Sequence, residues 1–293
     1  MFYASPYSER PGSFLKMAVV RGGGDLATGV IFRLWRAGFK VLSLEIERPL
    51  VVRRTVAAAQ AVFDGFCQVE GMPVHRIERV EDFFYTPDVC VLVDPEGSSI
   101  EFLQPLLLVD AMIAKKNLGT GIGMAPLVVG VGPGFTAGVD VHCVVETKRG
   151  HRLGRLLTKG SAIPNTGIPG MEMGYTTERL LRAPSDGRVE PRLEIGAHVE
   201  TGDVVAHVAG VPVRAQIPGV LRGLIHHSVG VKRGLKIGDV DPRDEPAHCF
   251  SITDKALAIA GGVLEAVLLY DILFTAPQPF RLSREVGVTE HAI

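Results

Sequence analysis

The stretch Ala18-Val-Val-Arg-Gly-Gly-Gly-Asp-Leu-Ala-Thr-Gly29 constrains the fold more than any other. A short apolar run, Met17 to Val20, is β-branched enough for a buried strand. Three glycines follow, then apolar residues at helical spacing, Leu26, Val30, Leu34 and Ala37, stopped by Gly38. A second apolar run, Val41 to Ile46, reads as the next strand. The glycines fit G-x-G-x-x-A as Gly22, Gly24 and Ala27. Glycine serves such a turn by taking unusual dihedrals, by letting a ligand or helix come close, and by leaving N–H groups free for an anion. Glu45 or Glu47 ends the second strand, where a dinucleotide-binding fold places its ribose contact. Asp25 argues the other way, because a carboxylate at the turn repels a pyrophosphate. A tight βα turn that binds no nucleotide explains the same glycines.

The chain of 293 residues is long enough for a large core or two domains. A net charge of −1 leaves no basic field for nucleic acid, and no apolar run approaches a membrane span, so neither partner is expected. Met1 to Lys16 lacks the basic start and apolar block of a signal peptide and reads as an extension. Cys67, Cys90, Cys143 and Cys249 are widely spaced, without a C-x-x-C or a zinc spacing. No metal site is expected, and a reducing cytoplasm is the expected setting.

Arg53 and Arg54 stand just before an Ala-rich segment, Thr55 to Val62, that reads as a helix. Cations are disfavoured at a helix start, so the pair points either to an anion or to a solvated face. Phe66–Glu70 and Met72–Ile77 resemble a hairpin joined at Gly71. Val89–Asp94 and Pro105–Asp110 are buried strands with an acid at the carboxyl end, where open α/β sheets place their crevice. Asp110 is expected to cap a helix through Ala111 to Lys116. Pro126–Val131 is another strand, and Gly132-Pro-Gly134-Phe135-Thr136-Ala-Gly138 is its N–H-rich loop. His142 lies in the strand that follows, and Lys148 to Arg155 is a basic turn. Ala162 to Gly170 is a long loop carrying Asn165 and Thr166.

From Glu178 to Arg243 the strands shorten and the chain echoes itself. Gly187 is answered by Gly219, and Val199-Glu-Thr-Gly202 by Val231-Lys-Arg-Gly234. Two interlocked hairpin units closing a small flattened barrel explain this pattern. It resembles the biotinyl/lipoyl type of barrel-sandwich hybrid, although the tip Ala209–Arg214 has no lysine for a swinging arm. Beyond it, Ser251-Ile-Thr253 starts a helix through Leu273, with Gly261-Gly262 marking a close approach. Cys249 lies just before that helix start and is the weak candidate for a reactive residue. The expected organisation is a Rossmann-like domain over 16–178, an all-β domain over 179–245 and a returning helix over 246–275. The ends, 1–15 and 276–293, read as flexible.

Gly22–Gly29, Glu47-Arg-Pro, Gly132–Phe135, Glu146–Arg155, Pro164–Gly167, Lys236–Arg243 and Gly261–Ala266 together resemble the YqeB family of selenium-dependent molybdenum hydroxylase system proteins. That family is similar in its Rossmann part to XdhC-type chaperones. The resemblance implies an accessory role in maturing such hydroxylases, with molybdenum cofactor (molybdopterin or its nucleotide form) bound and an apoenzyme or other maturation factors as partners. It leaves homo-oligomerisation and any reaction open. The expected cofactor-binding residues are Gly22, Gly23, Gly24, Asp25, Leu26, Ala27, Glu47, Arg53, Arg54, Gly132, Gly134, Phe135, Thr136, Arg152, Arg155, Asn165 and Thr166. Two other readings compete. An NAD(P)-dependent oxidoreductase shares the first unit but needs an acid or base, for which His142 and His151 are the candidates. The other is a non-catalytic scaffold with an empty Rossmann site.

Overall fold

The computed structural model describes residues 16–165, Gly167 and 170–275. The two ends read as flexible, 1–15 and 276–293, lie outside the described residues, as do Thr166, Ile168 and Pro169.

The first strands are β1 (Met17–Arg21), β2 (Lys40–Glu45), β3 (Phe66–Val69), β4 (Met72–Ile77), β5 (Val89–Val93), β6 (Leu107–Asp110) and β7 (Leu127–Val131). Next come β8 (Thr136–Ala137), β9 (Cys143–Val145), β10 (Leu156–Leu157) and β11 (Gly160–Ser161). The later strands are β12 (Leu180–Arg182), β13 (Gly187–Pro191), β14 (His198–Val199), β15 (Val204–Val208), β16 (Val211–Arg214), β17 (Gly219–Leu224), β18 (Gly230–Val231) and β19 (Lys236–Asp241). The helices are α1 (Asp25–Arg36), α2 (Gln60–Asp64), α3 (Ser98–Leu103) and α4 (Asp254–Thr275).

The β-branched run at the start of the chain becomes β1, at the centre of a sheet ordered β10-β9-β7-β6-β1-β2-β5-β4-β3. It pairs in parallel with β2 and β6. α1 follows the glycine turn with Asp25 in its first turn and Arg33 and Arg36 in its last, the placement that suits the helix dipole. Gly38, at a φ of 86°, ends it. α4 lies beside α1 on the same sheet face, and Val20, Ile31, Leu34, Ile259 and Val263 fill the layer between. This approach is close because Gly29 leaves room for Ala256 and Gly262 leaves room for the carbonyl of Gly154. The other face is covered by α3 and irregular chain, through Phe83, Leu103, Phe135 and Ala162.

This architecture corrects the expected Rossmann-like parallel sheet joined to a barrel-sandwich-hybrid domain. The sheet is mixed, because the edge strands β3 and β10 run antiparallel to β4 and β9. Its crossovers are mostly not helical. The Ala-rich segment gives a 3-10 turn at Arg54–Val56 and only a five-residue α2. Ala111 to Lys116 forms no helix at all. A sheet wound on both sides needs a helix in each crossover, and here the two long helices share one face.

The later strands form two antiparallel four-stranded sheets, β12-β19-β17-β14 and β16-β15-β13-β18. They enclose a core around Val189, Val205, Leu221 and Ile237. The echo holds in the backbone, with Gly187 and Gly219 at φ of 151° and 140°, and Gly202 and Gly234 at 98° and 84°. The sheets are not a separate carrier-like module. Val52 packs onto Gly223, where a side chain would clash. Arg54 Nε donates to Leu224 O at 2.7 Å, and Phe63 stacks on His226 with ring centroids 4.0 Å apart.

Candidate functional site

The glycine turn is occupied by the protein itself. Gly22 has the left-handed φ, 100°, and packs on the backbone of Ala111 and Met112. The Gly23 N–H donates to Glu45 Oε1 at 2.7 Å. Burial pushes the Glu45 carboxyl up, while the N–H groups of Gly23 and Ile46 favour its ionised form. Asp25 pairs with Arg53 Nη1 at 3.6 Å. Two carboxylates therefore stand where a pyrophosphate would bind, and the turn offers little to a second anion. Gly24 is extended, at a φ of −66°, with open space beside it, so it carries none of the turn's strain.

Just beyond the turn lies a cleft of about 340 Å³ at the carboxyl ends of β6, β7 and β9. Open α/β sheets bind ligands at this end of their strands. Leu26 from the start of α1 and Lys255 from the start of α4 line it. Pro133, Thr147, Lys148, Arg149 and Asn165 complete the walls with Ile113 and Lys115. Ile113 and Lys115 have φ of 55° and 65°. A β-branched residue is rarely left-handed, and strain of this kind concentrates at functional sites.

One buried carboxylate shapes two of these walls. Glu146 Oε1 accepts from the N–H groups of Thr147 and Lys148, both at 2.7 Å, and Oε2 accepts from Ile163 N–H at 2.8 Å. It locks the loop after β9 against the loop that carries Asn165. Arg149 reaches across to Glu172 and Asp254, at 3.4 and 3.3 Å. Among the described residues Lys115, Lys148 and Lys255 make no ion pair. Burial lowers the Lys255 pKa and Arg149 repels it further, against the pull of Asp25, Glu146 and Asp254. Three ammonium groups without an ion pair thus line one cleft, with the Asn165 amide oxygen, in its satisfied orientation, 3.3 Å from Lys115 Nζ.

The structure divides the expected residues. Leu26 and Asn165 line the cleft, Asp25 borders it, and Pro133 of the Gly132–Gly134 loop forms a wall. Gly132 and Gly134 shape that loop by packing on Thr147 and on the Lys116 backbone. Ala27 and Phe135 are buried in the two core layers. Thr136 lies in β8, where its N–H donates to Asp140. Glu47, Arg152 and Arg155 are exposed and do not line the cleft. Thr166 lies outside the described residues.

Three expectations are corrected by geometry. Arg53 and Arg54 are structural ties. Arg53 Nη2 donates to the carbonyls of His248 and Ser251, and Arg54 bonds Leu224 O. The sequence places Cys249 just before a helix start at Ser251, but it ends a short 3-10 turn, Pro246–Cys249, and α4 begins only at Asp254. It is fully buried, and burial pushes its thiol up although Arg53 and Arg222 pull it down. His142 Nδ1 is engaged by the Val128 N–H. The cleft's decisive cations, Lys115 and Lys255, were missed because they lie 140 positions apart and belong to no motif. The basic turn from Lys148 was legible, but its inner end, Lys148–Arg149, faces the cleft.

Among the described residues no group of His, Cys, Asp and Glu is arranged to hold a metal ion, and no helix is long and apolar enough to cross a membrane. No family model matches the chain. Solved structures with limited similarity include an aspartoacylase family protein from Mesorhizobium loti, at a TM-score of 0.26 and 12% identity, covering 76% of this chain and 84% of that one. Another is the product-bound ectoine utilization protein EutE from Ruegeria pomeroyi, at 0.24 and 12%, covering 77% and 85%. Scores this low do not establish a common fold. The chain is 47% identical over 257 residues to the uncharacterized protein YqeB of Escherichia coli (strain K12), an alignment covering 87% of this chain and 48% of the relative, so the chain spans about half of that protein's length.

Proposed function

We propose that the chain binds a phosphate-bearing small molecule in the cleft and acts as an accessory protein in maturing a molybdenum hydroxylase. The observation that carries the first part is that Lys115, Lys148 and Lys255, which make no ion pair among the described residues, line one cleft beside the left-handed Ile113 and Lys115. The second part rests on the motif resemblance over Gly22–Gly29, Glu146–Arg155 and Lys236–Arg243, and on the relationship to YqeB. The donor set fits the phosphate end of a molybdopterin-type cofactor, with the three lysines on the phosphate and the Asn165 amide alongside. Bound there, such a cofactor would bring its metal as cargo, and this chain would hold and orient it by its anionic end. The expected workplace is the cytoplasm, where its four free thiols stay reduced. Against the dinucleotide reading stand Glu45 on the Gly23 N–H and Asp25 at the helix start.

Equilibrium binding of cytidine-linked molybdopterin and of NAD tests the reading directly. The pterin is expected to bind and NAD is not. Lys115→Met combined with Lys148→Met is expected to weaken the pterin about a hundredfold, since a hydrogen bond to a charged group contributes roughly 1.5–3 kcal/mol. Unchanged affinity in that folded variant, or tighter binding of NAD, would sink it.

A further inference from the structure

Gly170 lines the cleft and stands between two guanidinium groups. A side chain on its α-carbon would meet Arg149 Cδ at 3.3 Å, and its carbonyl accepts from Arg179 Nη2 at 3.2 Å. Arg149 spends its charge on Glu172 and Asp254. Arg179 has no such outlet. It is 6% exposed, and among the described residues its Nε and Nη1 have no hydrogen-bond partner. It is held in place from behind, where its own carbonyl accepts from Val240 N–H at 2.8 Å.

The neighbouring buried arginines show what a purely structural guanidinium looks like in this chain. Arg222 Nε donates to Asp239 Oδ2 at 3.0 Å and its Nη1 donates to Asp241 Oδ2 at 3.3 Å. Arg243 also binds Asp241. Arg53 donates to two carbonyls through Nη2 and has Asp25 as its counter-charge at 3.6 Å, although its own Nε and Nη1 also make no hydrogen bond among the described residues. Asp241 is thus committed to Arg222 and Arg243, and Asp239 is bound to Arg222 through Oδ2. Lys236, within electrostatic reach of Arg179, adds a further positive charge on that side. A buried cation without a counter-charge is among the costliest groups a fold can keep. Retaining Arg179 makes physical sense where an anion completes it.

We propose that Arg179 is a second anion-binding group of the cleft, so that the ligand carries two phosphoryl groups and belongs to the diphosphates. This rests on the reading of the cleft as a phosphate site. The cleft is small, about 340 Å³. Two anionic groups that share it must belong to one compact ligand, and a diphosphate places them on adjacent atoms. Arg179 lies behind Gly170 and outside the lining itself, so one phosphoryl group meets the lysines and the other reaches Arg179 past Gly170. The protein-side alternative is a water that bridges Arg179 to Asp239 Oδ1, which is also buried without a partner.

Calorimetric titration of the full chain with inorganic phosphate and with inorganic pyrophosphate separates these outcomes. The unmodified protein is expected to prefer pyrophosphate by about tenfold or more, the size of one charge-assisted contact. In Arg179→Met the preference is expected to vanish while phosphate binds as before, and Arg179→Lys is expected to keep part of it. Ligand-free Arg179→Met is expected to melt at or above the temperature of the parent. Should it unfold instead, Arg179→Lys and Arg179→Gln give the same ratio. A preference that survives undiminished in folded Arg179→Met or Arg179→Gln overturns the second site and favours the bridging water, and phosphate binding lost in the Lys115→Met, Lys148→Met variant would still uphold the cleft. If neither anion binds the unmodified protein, or the double lysine variant binds phosphate normally, the cleft reading fails and the Arg179 site fails with it.

Discussion

Two cationic clusters meet where the mixed sheet joins the antiparallel sheets, and they are treated in opposite ways. In the seam, Arg222 pairs with Asp239 and Asp241, and Arg243 shares Asp241 with it. In the cleft, a short distance along the same junction, Lys115, Lys148 and Lys255 have none among the described residues. Both clusters cost desolvation. The seam recovers that cost within the chain and so contributes to the junction. On the proposed reading, the cleft leaves it for a ligand. If the proposed function holds, pairing, more than charge itself, separates structural cations from functional ones here.

The comparison breaks most visibly in the seam. Arg222→Met would leave Asp239 and Asp241 buried without their central counter-charge. Removing one partner of a buried ion pair costs about 3–5 kcal/mol, and chemical denaturation is expected to show a loss of that size. A loss below about 1 kcal/mol would mean that the seam contributes little.

A smaller effect comes from acid. Burial would raise the Asp241 carboxyl, but the bond from Arg243 and the charge of Arg222 hold it at about 2, below the ordinary 3.8. The ionised form therefore favours folding. Its contribution is complete above about pH 4 and is lost as pH falls through 2, about 2 kcal/mol in all. Stability measured between pH 5 and 2 is expected to fall along that course, and the decline is expected to be shallower in Asp241→Asn.

The smallest effect is expected at the turn. Gly24→Ala places a methyl group in open space at an ordinary φ. Stability is expected to change by no more than about 0.5 kcal/mol. A large loss would show that the open side of the turn is used.

Much of the first unit was legible. The run from Met17 became β1, Gly38 stopped α1, and Gly71 turned the hairpin of β3 and β4. Each is fixed by local periodicity or by a backbone that only glycine adopts easily. Gly262 also declared itself, since a glycine inside a helix asks for a near neighbour, and Gly154 is there. Its twin Gly261 faces open space, and nothing in the structure explains it. The sheet type was not legible, because antiparallel edges and irregular crossovers depend on how distant segments meet. The stretch Ala111–Lys116 shows the limit. Asp110 looked like a helix cap, yet its carboxylate accepts from the Thr120 hydroxyl at 2.6 Å and lies 3.8 Å from Arg21. With the acid drawn to those partners, the chain after it turns left-handed at Ile113 and carries Lys115 into the cleft. The candidate site was half legible for the same reason, since its loops follow motifs and its lysines do not.

The packing of α4 on α1 also bears on how the protein is made. Ile259, Val263 and Ala266 belong to the same core as Val20 and Ile31, although more than 200 positions separate them. While the chain emerges from the ribosome, the part of that sheet face beside α1 stays uncovered until the segment beyond Asp254 arrives. Contacts of such sequence separation form late. A nascent chain paused within the antiparallel sheets would therefore expose an apolar surface, and this stage of synthesis is the one at which a chaperone is most needed.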